Sequence, residues 1–576
     1  MTKKKLFTVG LAVLSSVSLL AFTACKKNTQ QAESTDQYEQ VEAIESTSGI
    51  EYELSKDGTY YVITNYTGTA KKVVCGDTHK NLPVKEIGDN AFYNTNVEML
   101  TISDSIEKIG EYAFFNCDYL TTIDFGNGLK EIGEYSFSAC KSLTQVILPE
   151  GLERIENSAF YSSNVINVSI PESINYIGIN VFDGCESLQY SRYDNAYYLG
   201  NSDNKYAALI YLGEESTVLT KVDGVDIEAT IVGSPIETSC SVHSDTRVIG
   251  GGAFENHAFL NSVAISKNVT AIGDLAFSGC ANLSSVILPA SVESIGVSAF
   301  AYCSSLRNIN LPENLVSLGD GAFSHCSRLS IIHIPDSVTE IAPFTFNDCS
   351  ELTFASMGAS VKSIGAYAFN NCFTLSSISF KNYYSSKLES IGAFAFNGCY
   401  NLSTVMLPAS LKIVEEKAFV DTLRTIYAFH SKASWVENGF DDNPALKPFS
   451  ASTYLYSEAR PDLNTEKTDY DRKYFFVTAE GNKRVWEYKT FIYGIECTYS
   501  ANQPDLNQDG SAYDGDYFFY NVNGVAIRWE YIKTISGTTC TYSKNEPALN
   551  GDGSDYDGDY FYYDDLGVAR KWIYNG

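Results

Sequence analysis

The stretch IGVSAFAYCSSLRNINLP, residues 295–312, decides the fold. It returns almost at once as LGDGAFSHCSRLSIIHIP over residues 318–335. Leu306, Ile309 and Leu311 are spaced to point inward around a short strand, because alternate strand residues share a face. Pro312 has no N–H to donate and ends the strand. Gly296 permits a tight corner. The segment around Ala299 and Phe300 is expected as a short helical turn whose ring fills the interior. One such unit cannot bury its apolar side alone, but a stack of them shares a continuous core.

The ring after the small residue maps the array. It recurs at Phe92, Phe114, Phe137, Phe160 and Phe182, then at Phe254, Phe277, Phe300, Phe323, Phe346, Phe369, Phe396 and Phe419. The spacing is 22 or 23 residues, except for 27 before Phe396 and a gap of 72 after Phe182. That gap is close to three units, and YYLGNSDNKYAALIYL (197–212) within it reads as strands. The pattern I-G-x-x-A-F-x-x-C-x-x-L-x-x-I-x-L-P covers roughly residues 50 to 430. It closely resembles the BspA-type leucine-rich repeat family of bacterial surface proteins. DGTYYVITNYTGTAKKVV (57–74) and LPVKEIG (82–88) resemble that family's first coils. The resemblance implies surface display and adhesion to host matrix proteins and other bacteria. The expected fold is an α/β-type repeat solenoid, with an irregular excursion at 186–247.

Nine of the 14 cysteines sit three residues after a repeat phenylalanine: Cys117, Cys140, Cys185, Cys280, Cys303, Cys326, Cys349, Cys372 and Cys399. Zinc ligands cluster as CxxC pairs, and none occurs here. Neighbouring coils place these sulfurs about 5 Å apart, so geometry leaves disulfides open. Cysteine is also a good small buried residue, and buried free thiols are the expectation. Ser163 and His257 interrupt the ladder, as a structural position tolerates.

Outside the array the chain changes character. Lys3, Lys4 and Lys5 precede an apolar stretch, Leu6 to Leu20, too short to be a convincing membrane span. Ala21-Phe22-Thr23-Ala24-Cys25 resembles a bacterial lipobox, with Phe22 where leucine is usual. Residues 1–24 are therefore expected as a lipoprotein signal peptide, with Cys25 as the lipid attachment residue. Residues 25–49 are too polar to offset ordering entropy and read as a tether.

After a linker at 431–451, the period becomes 43. Tyr456, Tyr499 and Tyr542 align, as do Trp486, Trp529 and Trp572. Aromatic strands and the Asn523-Gly524 turn predict three aromatic β-hairpin repeats over 452–576. They serve as a cap and spacer or as a separate binding module. Asp505, Asn507, Asp509, Ser511 and Asp516 match the oxygen spacing of a calcium loop. The flanking segments read as strands rather than helices, and Asp and Asn are common at turns without metal. No other cofactor is expected.

The net charge of −29 disfavours nucleic acid. The six histidines fall in no metalloprotease or nucleophile motif, and neither a P-loop nor a dinucleotide-binding glycine pattern is present. An enzyme is not expected. The expected partner is an extracellular protein or glycan, bound by a cell-surface lipoprotein. Nutrient capture and a purely structural envelope spacer are the alternatives. Residues flanking each strand's central Ile or Val form two outward columns. One holds Ser285, Asn308, Ile331, Phe354, Ser377 and Thr404; the other holds Ile287, Asn310, His333, Ser356, Ser379 and Met406. Neither contains a charge. Ile331, Phe354 and His333 are the ligand-binding candidates, as an exposed apolar cluster on a neutral face.

Overall fold

The computed structural model describes residues 44–576, apart from 214–216, 223–224, 231–237, 382, 384, 421–424, 447–451, 459–460, 462, 465–469, 471, 479–481, 493–494, 508–509, 514, 524, 567 and 575–576. Cys25 and the rest of residues 1–43 lie outside the described residues.

Each regular unit is one coil with two short strands. In the coil that carries Phe300 these are Ser285–Ile287 and Ser294–Ile295. Ser285–Ile287 pairs in parallel with Ser262–Ala264 behind it and Asn308–Ile309 ahead. Ser294–Ile295 does the same with Ala271–Ile272 and Ser317–Leu318. Each residue meets its own repeat copy, so side chains of one type line up in columns along two parallel β walls.

The third wall corrects the expected helical turn. Ser298 and Tyr302 have φ of 53° and 61°, in the left-handed region. Two such residues four apart prevent a right-handed helix. The N–H groups of Ser298, Phe300 and Tyr302 donate to the Asp320, Ala322 and Ser324 carbonyls of the next coil, each at 2.8 Å. Only the residues between them bond locally, as Ala301 does to Ser298 at 3.0 Å. A helix satisfies its donors along its own chain; this turn sends half of them to its neighbour. Among the described residues the α-helix is Lys432–Glu437 and the 3-10 turn is Pro444–Leu446. The α/β-type expectation therefore gives way to a mostly β solenoid. Gly296 also has another reason than a corner. A Cβ there would sit 2.6 Å from the Asp274 nitrogen of the previous coil, so glycine allows the close approach of two backbones.

The repeat phenylalanines form the spine of the core. From Phe254 to Phe346 their rings stack face to face at 4.7 to 5.6 Å, and each is fully buried. Truncating one such ring to alanine costs about 3–5 kcal/mol. A second stack runs from Phe92 to Phe182. Between the two stacks the chain makes an antiparallel sheet, Ser191–Tyr193, Ala196–Leu199 and Ala208–Leu212, whose last strand rejoins the array beside Val248–Ile249. The Tyr176 hydroxyl donates to Asp274 at 2.7 Å across this interruption.

At the far end, Thr425–Ala428 pairs in parallel with Ser452–Tyr456, which pairs in turn with Lys473–Val477. One sheet thus runs out of the array. The intervening stretch, 431–451, includes the helix, and Trp435 and Phe440 are buried in the same core. The 43-residue period persists beyond it, but the unit is not the simple hairpin expected. Lys489–Ile492, Ile495–Tyr499, Tyr517–Tyr520 and Ala526–Arg528 form a sheet with antiparallel outer pairs and a parallel central pair. Ile532–Ile535 to Ala569–Lys571 repeats it. The period-defining tryptophans close each unit: Trp529 donates its indole N–H to Ser500 at 3.1 Å, and Trp572 to Ser543 at 3.2 Å.

Candidate binding face

Parallel register assembles the predicted cluster on the strand wall. Ile331 pairs with Phe354 and His333 with Ser356, while Ile332 and Ala355 between them turn into the core. Ile331 is 43% exposed, His333 is exposed and Phe354 is half-buried. The His333 Nδ1 stands 2.7 Å from the Ser356 hydroxyl, and its ring lies 5.9 Å from Phe354, steeply inclined to it. All three candidates are therefore brought together. Phe354 and Ser356 continue into Ser377 and Ser379 on the next coil. Ile287, at 83% exposure, extends the apolar element of the face two coils earlier. The arrangement offers apolar contact bordered by hydroxyls and one imidazole. It suits a contact surface.

A second surface lay unread in the sequence. On the turn wall, Phe344, Tyr367 and Phe394 stack at 5.0 and 4.9 Å, and Lys417 lies over Phe394 at 5.3 Å. Each stands two residues before a repeat phenylalanine and has a left-handed backbone. Phe344 is 44% exposed. The available signal was the recurrence of an aromatic at one fixed offset in three consecutive units.

Three of the calcium-loop residues, Asn507, Ser511 and Asp516, have side-chain partners within the chain. The Asn507 amide donates to the Ser511 hydroxyl at 3.1 Å. Asp516 accepts from the Arg528 guanidinium, which offsets the charge a cation would need. Asp509 lies outside the described residues. Among the described residues no group of three or more His, Cys, Asp or Glu side chains gathers as a metal site. The ladder cysteines are free and buried. Cys303 and Cys326 donate their thiols to the Phe277 and Phe300 carbonyls at 3.2 and 3.1 Å. Burial pushes both thiols well above their ordinary pKa. Cys75 and Cys240, off the ladder, are buried as well.

A family model described as "BspA type Leucine rich repeat region" matches residues 85–203, 235–353 and 339–449. Among solved structures, the chain is similar to a leucine rich cell surface protein from Faecalibacterium prausnitzii, at 23% identity over 59% of this chain and 95% of that one, with a TM-score of 0.25. A leucine-rich repeat protein from Bacteroides ovatus is 22% identical over 71% of this chain and 98% of that one, TM-score 0.25. The pneumococcal vaccine antigen PcpA is 16% identical over 66% and 72%, TM-score 0.24. No curated protein sequence matches the chain. No helix among the described residues is long and apolar enough to cross a membrane.

Proposed function

Because the chain belongs to the BspA-type leucine-rich repeat family, we propose that it is a surface-displayed recognition protein that adheres to a protein or glycan on a host, a matrix or a neighbouring cell. Cys25, acylated, holds it at the membrane, and residues 26–49 carry the array away from it. The observation that carries this reading is the stretch of strand wall from Ser285 to Met406, whose outward columns carry no charge and bring Ile331, Phe354 and His333 together, on a molecule of net charge −29. A neutral face of hydroxyls and amides punctuated by apolar groups suits hydrogen-bonded sugars or a protein contact rather than a highly charged ligand. Exposed aromatic and aliphatic anchors concentrate binding energy at such faces.

The test is a glycan and matrix-protein array probed with the purified chain lacking residues 1–25. The best ligand is then titrated against the double variant Ile331→Ser, Phe354→Ala. Binding should weaken at least tenfold while the melting temperature stays nearly unchanged. Binding that survives the double change but disappears on deletion of residues 452–576 moves the site to the tail.

A further inference from the structure

The interruption after Phe182 leaves one rung of the turn wall open. In the regular array, alternate turn N–H groups donate to the next coil. Phe160 donates to Val181 at 2.9 Å, Ser162 to Asp183 at 2.8 Å, and Phe254 to Ala276 at 2.7 Å. At the Phe182 rung this fails. Among the described residues, no acceptor meets the N–H groups of Asn180 and Phe182. The Gly184 N–H turns onto its neighbour's carboxylate, Asp183, at 3.0 Å. Across the gap the Gly251 carbonyl accepts no hydrogen bond from a described residue, and the Ala253 carbonyl is taken by Leu212 at 2.9 Å. The chain has placed strands in this coil but no phenylalanine turn.

A cavity of about 800 Å³ fills the place where that turn would lie. Its apolar wall is Val181, Phe182 and Leu188. Tyr190, edge-on to Tyr211 at 5.3 Å, lines it too. Three carboxylates, Asp183, Glu186 and Glu255, line it against one guanidinium, Arg192, which lies over Tyr197 at 4.9 Å. The cavity thus joins backbone donors and a backbone acceptor that have no partner among the described residues, an aromatic wall and a negative rim. Strand-like addition of a peptide to an open ladder uses such backbone groups for affinity and the adjoining pockets for specificity.

We propose that this cleft is a peptide-binding slot, in which a segment of a partner protein takes the place of the missing turn. The partner's carbonyls accept from Asn180 and Phe182, and one of its N–H groups donates to Gly251. An aromatic side chain seats against Phe182 and Leu188, and a neighbouring basic residue faces the three carboxylates. The slot is separate from the strand-wall cluster and does not depend on it.

The probe is a fluorescein-labelled peptide copying the chain's own turn, residues 296–306, with Cys303→Ser and two lysines added at its N-terminus. Anisotropy with the full chain should show saturable binding. The peptide carrying Phe300→Ala should bind at least tenfold more weakly, as should a version with two glutamates in place of the lysines. Glu186→Lys with Glu255→Lys in the protein should reverse that charge preference. Ile331→Ser with Phe354→Ala, which weakens binding at the strand wall, should leave the affinity for this peptide as it was. Residue-resolved hydrogen exchange should find the Phe182 amide fast in the free protein, the Phe160 amide slow, and the Phe182 amide slowed by the lysine peptide. Absence of saturable binding by the lysine peptide overturns the proposal. So does a Phe182 amide as protected in the free chain as that of Phe160, which would mean that the chain fills its own slot.

Discussion

Cys303 sits where one coil of the array has Ser163, and the two side chains do the same thing. The Cys303 thiol donates to the Phe277 carbonyl at 3.2 Å, and the Ser163 hydroxyl to the Phe137 carbonyl at 2.6 Å. They differ in alkali. Burial raises the folded thiol pKa, to about 12 at Cys280 and about 11 at Cys185, and well up at Cys303. An unfolded thiol titrates near about 8.5. A raised folded pKa means stability that is complete below the unfolded value and is lost as pH rises past it toward the folded one. Unfolding in urea under reducing conditions should therefore show Cys303→Ser losing less stability than the parent between pH 8 and pH 10, by about 2 kcal/mol. Parallel pH profiles for the two proteins would show that Cys303 is not buried as a neutral thiol. At this scale much was legible. Repeat phenylalanines, cysteines and strand residues stand at fixed offsets, and the structure buries them. The left-handed positions were not legible, because Ser298, Tyr302, Leu275, Phe344 and Lys417 share no chemistry. Their backbone is set by hydrogen bonds to the next coil, which no local propensity encodes.

The turn is the element that sequence reasoning misjudged, and the cause is physical. A small residue, a phenylalanine and a cysteine three positions on also suit one helical turn. What decides against the helix is the neighbouring coil, whose carbonyls compete for the same donors. The strand wall was easier, since alternation within a strand and register between identical units leave one arrangement. That is why Ile331, Phe354 and His333 were found together from spacing alone, while the aromatic column of the turn wall was missed. The tail depends on the same element logic. Thr425–Ala428 would be an open edge without Ser452–Tyr456, and Tyr427 and Phe429 stack on Tyr454 and Tyr456 at 5.2 and 5.5 Å. Exposed edge strands template aggregation. A chain ending at residue 451 should melt earlier and aggregate in light scattering, whereas one ending at residue 487 should stay monodisperse. Equal behaviour of the two truncations would show that the first tail strands do not protect the array.

For the whole molecule, the repeat period and the excursion after Phe182 were readable, because a missing phenylalanine is visible at a glance. The cleft that the excursion creates was not, since it depends on which backbone groups lose their partners. The anchor belongs to this scale too. Cys25→Ala should leave an unprocessed precursor or release the protein to the medium, and membrane fractionation with fatty-acid labelling reads the difference. Membrane-bound, correctly cleaved Cys25→Ala protein would remove the lipid-anchor reading. The register between coils carries one last consequence. Where the repeat phenylalanines stand 23 residues apart, residue and register partner are identical positions of successive units, as in Ser285 with Asn308 and Ser294 with Ser317. Removing one whole unit, or copying one, would bring equivalent positions together and keep the backbone pairing between coils. The gene can therefore lengthen or shorten this molecule by recombination in whole blocks, and evolution sets its reach by counting rather than by redesign.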